Sequence, residues 1–134
     1  MARPAEDHDV TAGRGIEAHQ GKLIKSTGDG LLATFDRPAA AMRCAQALRD
    51  SLSRQGIEIR AGLHTGEIEL IGQDVGGMAV HIAARVSSRA GAGQTLASRT
   101  VKDLVIGSGI EFEEAETSQL KGVPGHWELF AVKK

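Results

Sequence analysis

Three short segments carry residues whose types and spacing could bind an anionic ligand or act on it. The first is the turn Gly28-Asp29-Gly30, in which two glycines flank a carboxylate. Backbone and cation can approach such a carboxylate closely, as a divalent ion bound through oxygen requires. The same Asp-Gly pair is also common at hairpin tips. Asp29 is therefore either a metal ligand or a turn residue, and Lys25, four residues earlier, either a ligand contact or a solvated strand lysine.

The second segment is a glycine-containing loop with Asp74, followed by a helix with His81 and Arg85. The two helical residues are four apart and so share one face of the helix. A guanidinium bonds phosphate oxygens in pairs, so Arg85 beside a flexible loop suits a polyphosphate. The alternatives are a surface ion pair for Arg85 and a structural role for His81, because a lone helical histidine is more often a satisfied structural group.

The third segment is the glycine-flanked loop Leu120-Lys121-Gly122-Val123-Pro124-Gly125. Lys121 could reach a phosphate from this loop, although a turn function alone explains the glycines equally well. The remaining histidines lack the paired spacing of a zinc site, and we interpret them as structural or exposed. They are His8, His19, His64 and His126.

Length and composition indicate what kind of protein carries these segments. The chain has 134 residues, 41% hydrophobic and 25% charged, which predicts one soluble globular domain over residues 1–134. A net charge of -1 gives no overall field for nucleic acid or an anionic membrane. No window approaches the roughly 18–20 apolar residues of a membrane span, and the polar start lacks a signal peptide, so we expect a cytoplasmic domain. The single cysteine, Cys44, falls on the apolar side of a helix and is expected in the core.

The first half of the chain reads as helix, hairpin and helix. A weak helix is expected over residues 5–19, because Gly13 and Gly15 interrupt it. Two apolar runs around the Asp-Gly turn predict a hairpin over residues 22–35. The clearest helix spans residues 38–54, with Pro38 in its first turn and Gly56 as a stop.

The second half predicts short strands and two helices. Alternation over residues 57–63 and 67–70, around Thr65-Gly66, predicts a second hairpin, and residues 72–77 are expected to form a loop. A helix follows over residues 78–89 with Met78, Ile82 and Val86 on one face. Further predictions are a strand at residues 96–97, a helix over 99–106 with Ser98 as its N-cap, and strands at 110–113, 119–121 and 127–132. This pattern is typical of an α+β sandwich, a mainly antiparallel sheet with helices packed on it.

Taken in order, five motifs resemble class III adenylate/guanylate cyclase catalytic domains of the bacterial type. The resemblance runs from about residue 8 to residue 132. It implies a ferredoxin-like sheet and a head-to-tail homodimer whose two active sites lie at the subunit interface, so that one chain supplies half of each site. The motifs are residues 22–30 (KLIKSTGDG), 35–36 (FD), 60–67 (RAGLHTGE), 74–85 (DVGGMAVHIAAR) and 120–125 (LKGVPG).

The resemblance also implies a role for each candidate residue. Asp29 matches the second of two aspartates that bind two Mg²⁺ or Mn²⁺ ions. Lys25 and Asp74 match the pair that selects adenine, and Lys121 matches the lysine that holds the outer phosphates. Arg85 matches the arginine that stabilises charge on the α-phosphate during attack by the ribose 3′-hydroxyl. The implied reaction converts ATP to 3′,5′-cyclic AMP and pyrophosphate in signal transduction.

Two departures from the family pattern bear on activity. His81 stands where well-studied members carry an asparagine that orients the ribose, and histidine donates a hydrogen bond with a different reach. Nothing before His8 resembles the family's first strand, which bears the first metal aspartate and is central in its sheet. Its absence predicts weaker metal binding, lower activity of this chain and a rearranged or strand-swapped dimer. The alternatives are a degenerate cyclase-like module that binds nucleotide or dimerises to regulate a partner, and an unrelated ferredoxin-like interaction module.

Overall fold

The computed structural model describes residues 4–27 and 30–133, with side chains for residues 10–26 and 30–133. Contacts divide the chain into two compact units, Met1–Ile57 and Glu58–Lys134. In chain order the elements are α1 (Pro4–Ala18), β1 (Gly21–Thr27), β2 (Gly30–Phe35), α2 (Pro38–Ser53), β3 (Ala61–Leu63), β4 (Glu69–Ile71), β5 (Asp74–Gly76), α3 (Met78–Arg89), β6 (Thr95–Ser98), α4 (Arg99–Leu104), β7 (Phe112–Gln119) and β8 (His126–Val132).

The first unit is a two-stranded hairpin covered by two helices. β1 and β2 pair antiparallel, with a register shift between Leu23 and Lys25. α1 packs against β1 and α2, and α2 packs against β2. Ala12 and Ile16 of α1, four residues apart, are both buried. The predicted hairpin and its flanking helices are confirmed, whereas the tip residues Gly28 and Asp29 lie outside the described residues.

α2 follows directly from its sequence. Pro38 occupies the first turn, where its missing N–H costs no intrahelical bond. Met42, Cys44 and Leu52 are buried, and Gly56 follows at φ +81°, a left-handed conformation that glycine adopts without strain. No helix in the described part of the chain has the length and apolarity that crossing a bilayer requires.

The second unit contains a four-stranded sheet in the order β3-β6-β8-β7. β3 runs parallel to β6, and the other two pairings are antiparallel. α3 packs against β3 and β6, and α4 packs against β6 and β8. The hydrophobic cluster of this unit comprises Ile82, Val86, Ala90, Leu96, Leu120, Val123, Leu129 and Ala131. The fold is α+β with mainly antiparallel pairing, as predicted.

Several local predictions in this unit are wrong. Residues 57–63 and 67–70 do not form a hairpin with each other: β3 pairs with β6, and β4 pairs with β5. The hairpin therefore turns at residues 72–73, and Asp74 lies on a short strand instead of in a loop. Residues 112–119 form one continuous strand, so the separate strand predicted at 119–121 is absent from this described segment. Within the described residues, β2 pairs only with β1 and β3 only with β6.

Ser98 precedes α4 as predicted but makes no side-chain capping bond there. Its hydroxyl, fully buried, instead lies 2.7 Å from Nδ1 of His64. The edge of the His64 ring meets the indole of Trp127, with 5.4 Å between ring centroids. His64 is thus a structural residue that ties the end of β3 to the start of α4. Its partial burial lowers the pKa of the imidazole because the charged form loses solvation.

This lowered pKa predicts a loss of stability in mild acid. The unfolded chain, in which histidine titrates near about 6.5, takes up the proton before the folded chain does. The free energy of unfolding should therefore fall as the pH drops from about 7.5 to about 5.5, and His64→Asn, which does not titrate, should reduce that slope. Urea denaturation across this range measures both slopes. Identical slopes in the two proteins would contradict the prediction.

Candidate active site

α3 presents the predicted histidine and arginine beside its buried face. Ile82 and Val86 are buried at 5% and 0% exposure, and His81 and Arg85 each precede one of them in the chain. Met78, predicted on the same apolar face, is 53% exposed at the start of the helix. The helix begins after Gly77, whose φ of +109° favours glycine. Burial of the apolar residues therefore fixes the rotation of the helix and, with it, the two polar side chains.

Arg85 is half-buried, and its Nε is enclosed with no hydrogen-bond partner among the described residues. Arg89, one turn further on, is instead paired: its Nε and one terminal nitrogen lie 3.1 and 2.6 Å from the two carboxylate oxygens of Glu116. Enclosing a guanidinium N–H without a partner costs free energy. A surface ion pair was one alternative for Arg85, and the structure places such a pair at Arg89.

Asp74 is half-buried at the start of β5, opposite Ile71 of β4. One of its carboxylate oxygens accepts a hydrogen bond of 2.7 Å from the backbone N–H of Val75. Val75 itself is buried at 6% exposure. This local bond orients the carboxylate.

The loop after β7 holds Lys121 between two buried anchors, Leu120 and Val123. The N–H of Val123 donates to the carbonyl of Leu120 at 3.0 Å, and the indole N–H of Trp127 donates to the carbonyl of Pro124 at 3.1 Å. The Lys121 side chain is exposed, and residues 119–125 line an open depression. The loop is therefore supported along its length while its lysine faces solvent.

The structure joins α3 to this loop. The Nε2 of His81 lies 3.1 Å from the carbonyl oxygen of Lys121, so two of the predicted site residues meet through one hydrogen bond. Lys25 lies on β1 in the other unit, exposed and opposite Leu32. Asp29 lies outside the described residues. Sequence reasoning missed the contact between His81 and Lys121, because the two residues are 40 positions apart.

A metal ion is implied by the family resemblance, and the described residues do not by themselves fit one. No group of three or more His, Cys, Asp or Glu side chains in residues 10–26 and 30–133 is placed to hold a metal ion. Hard divalent ions take several oxygen ligands. The described side chains thus form no metal site of their own.

Comparison with known sequences gives partial matches. No family model matches the chain. A protein of Rhizobium meliloti (strain 1021) named "Putative adenylate cyclase 3" is 30% identical over 117 residues, which is 81% of this chain and 20% of that protein. The chain thus spans about a fifth of the length of this curated relative.

Comparison with solved structures gives matches over nearly the whole chain. An adenylate/guanylate cyclase/hydrolase from Silicibacter pomeroyi aligns with a TM-score of 0.85 and 25% identity, covering 94% of this chain and 81% of that one. The guanylate cyclase domain of a protein from Catenaria anguillulae, solved with GTP, aligns with a TM-score of 0.79 and 18% identity over 96% and 80% of the two chains. The second likeness shows the fold alone. Fold, ordered motifs and these similarities together show that the chain belongs to the class III adenylate/guanylate cyclase domains.

Proposed function

We propose that this domain converts ATP to 3′,5′-cyclic AMP and pyrophosphate. The observation that carries the proposal is Arg85, whose enclosed Nε has no partner among the described residues. A preorganised donor of this kind gains its full effect when a negative charge is placed against it. ATP is an intracellular substrate, so the proposal places the domain in the cytoplasm.

The proposed reaction is a displacement at the α-phosphorus. The ribose 3′-oxygen bonds to the α-phosphorus while the bond from that phosphorus to the oxygen bridging to the β-phosphate breaks. Pyrophosphate leaves, and the hydroxyl proton passes to a base. Arg85 stabilises the charge on the α-phosphate oxygens, and Lys121 holds the outer phosphates. Both roles need cations aimed at phosphate and not neutralised by a protein carboxylate.

We propose that Lys25 and Asp74 select adenine over guanine. The adenine edge offers an amino donor and ring-nitrogen acceptors, which an oriented carboxylate and an ammonium complement. The orientation of the Asp74 carboxylate by the N–H of Val75 supports its part in this pair. Asp29, with two Mg²⁺ or Mn²⁺ ions, completes the proposal; the metal would lower the negative charge of the triphosphate.

We also propose that the domain works as a homodimer with sites shared between two copies. The β4–β5 hairpin and the start of α3 expose large apolar side chains, which is unusual on a monomer surface. Leu70 is 80% exposed and Ile71 58%, with Met78 at 53% and Ile68 at 40%. Burial of this surface against a second copy would remove it from water.

The test is cyclic nucleotide production from ATP and from GTP with Mn²⁺, measured by mass spectrometry at high protein concentration. We expect cyclic AMP to exceed cyclic GMP, and excess chelator to abolish both. Lys25→Ala should lower kcat/KM for ATP about tenfold and narrow the preference over GTP, because it removes a charged hydrogen bond to the base. Lys22→Ala, an exposed lysine on the same strand, is the matched control and should have little effect.

Shared sites add a second expectation to the same assay. Asp29→Ala and Arg85→Ala damage different halves of a composite site, so a mixture of the two inactive variants should regain activity in mixed dimers. ATP binding without product would favour the degenerate, nucleotide-binding alternative. Absence of ATP binding at millimolar concentration would contradict both the cyclase proposal and the nucleotide-binding alternative.

A further inference from the structure

His81 makes a contact that its place in the motif does not require. Its Nε2 lies 3.1 Å from the main-chain carbonyl oxygen of Lys121, so the side chain spans from α3 to the loop after β7. A carbonyl can only accept, so Nε2 must carry the hydrogen. In the neutral imidazole this leaves Nδ1 as an acceptor, and the ε-position donor is already used within the protein.

Gly122 makes room for this contact. A Cβ at residue 122 would lie 2.9 Å from Nε2 of His81 and 3.6 Å from its Cε1. Gly122 has φ +78°, and Gly125 in the same loop has a similar φ of +87°. A Cβ at residue 125 would meet nothing within 4 Å. Both glycines have a positive φ, but a Cβ would meet the His81 ring only at residue 122.

The contact acts between the buried anchors of the loop. Leu120 and Val123 are anchored in the core, and Pro124 is bonded by Trp127. Lys121 lies between the two anchors with its side chain in solvent, and His81 bonds the carbonyl of that residue. The orientation of the peptide that His81 holds influences the direction in which the Cα–Cβ bond of Lys121 leaves the main chain.

We propose that His81 is a positioning residue, which holds the main chain at Lys121 so that the lysine ammonium meets the outer phosphates of the nucleotide, and does not itself orient the ribose. This inference rests on the proposed function, from which the role of Lys121 comes. The hydrogen bond itself does not depend on that function. The two can therefore be tested apart.

Two amide variants separate the roles. The amide nitrogen of glutamine matches Nε2 of histidine in reach, so His81→Gln should keep the bond to the Lys121 carbonyl. The amide of asparagine matches Nδ1, so His81→Asn should lose the loop bond while supplying the group that would orient a ribose. If His81 positions the loop, His81→Gln should have a KM for ATP near that of the wild type, whereas His81→Asn and His81→Ala should both have a raised KM. If His81 instead orients the ribose, His81→Asn should retain ATP affinity better than His81→Gln.

The first readout uses the nucleotide-free protein. Hydrogen exchange at the Val123 amide reports closure of the loop, because that N–H donates to Leu120. Loss of one hydrogen bond should speed this exchange by roughly threefold to tenfold in His81→Ala and His81→Asn, and by less than about twofold in His81→Gln. The second readout is the KM for ATP, which should rise by the same factors with a smaller change in kcat.

The glycine pair supplies an independent check. Gly122→Ala and Gly125→Ala both place a Cβ on a residue with positive φ, but only the Cβ of Gly122→Ala would press against His81. We therefore expect Gly122→Ala to speed hydrogen exchange at Val123 more than Gly125→Ala does. This difference should disappear when His81 is also replaced by alanine, which a double-mutant cycle measures.

Two outcomes would overturn the inference. Unchanged Val123 exchange in His81→Ala would show that the bond does not hold the loop. Full ATP affinity in His81→Asn, with a defect in His81→Gln, would show that the residue acts on the ribose. If the wild-type chain bound no nucleotide, the proposed function would fail while the exchange data still judged the His81 contact.

Discussion

Arg85→Ala is expected to lower kcat for cyclic AMP formation by about 10² to 10³ with a smaller change in KM. Removing one preorganised donor aimed at transition-state charge costs about this much in other enzymes. The Nε of Arg85 is already enclosed without a partner among the described residues, so the side chain does not have to break a hydrogen bond from Nε before it meets the substrate. Initial rates over a range of ATP concentrations give the two constants separately.

Arg89→Ala is the matched control for this prediction. Arg89 lies on the same helix, one turn further on, and its guanidinium donates hydrogen bonds to both carboxylate oxygens of Glu116. Arg89 is exposed and already engaged by the Glu116 carboxylate, so the loss of this solvent-screened pair should leave kcat within about twofold. Arg85→Lys should fall between the two, because it keeps the charge and loses the planar fork. Equal losses in Arg85→Ala and Arg89→Ala would contradict a specific role for Arg85.

Gly62→Ala is expected to lower the free energy of unfolding by about 2–4 kcal/mol. A Cβ at residue 62 would lie 2.1 Å from the backbone nitrogen of Ser87 and 2.4 Å from its Cα. These are main-chain atoms in the last turn of α3, so no side-chain rotation relieves the contact. The helix must move away from β3, and core contacts are lost. Chemical denaturation of the variant and the wild type gives the difference directly.

Gly91→Ala provides the comparison, since a Cβ there meets only the Gln94 side chain at an ordinary 3.8 Å. We expect a change of less than about 1 kcal/mol for it. Should Gly62→Ala prove as stable as Gly91→Ala, the close packing of α3 on β3 would be wrong. Because α3 also carries His81 and Arg85, a displaced helix should reduce activity even at temperatures where the protein remains folded.

Elements specified by local signals could be predicted from sequence. The sequence predicts α2 from the helical spacing of its apolar residues and the proline at its start, and it predicts the β1–β2 hairpin from the Asp-Gly pair between two apolar runs. The apolar residues at this spacing are Ala41, Cys44, Ala45, Leu48 and Leu52. The pairing of β3 could not be predicted. Its partner, β6, begins at Thr95, 34 residues beyond Ala61 in the chain, and alternation of apolar residues shows that a strand exists without showing what it pairs with.

The candidate site divides in the same way. Spacing placed His81 and Arg85 on one helix, and a glycine-flanked loop identified the segment with Lys121. No sequence signal indicated that His81 would bond the carbonyl at Lys121, since tertiary packing alone brings them together. Ser98 was expected to cap α4, but its hydroxyl bonds His64 instead. Buried polar side chains need hydrogen-bond partners, and here Ser98 and His64 provide them for one another.

The burial of Cys44 has a consequence for how the domain responds to oxidants. It is the single cysteine of the chain, it is 2% exposed, and burial raises the pKa of its thiol to about 11. Near neutral pH only about one molecule in ten thousand then carries the reactive thiolate. Disulfide exchange, and oxidants that attack thiolates, therefore have almost nothing to attack in this domain. A cysteine introduced on its surface would be the one site that a thiol-reactive probe labels.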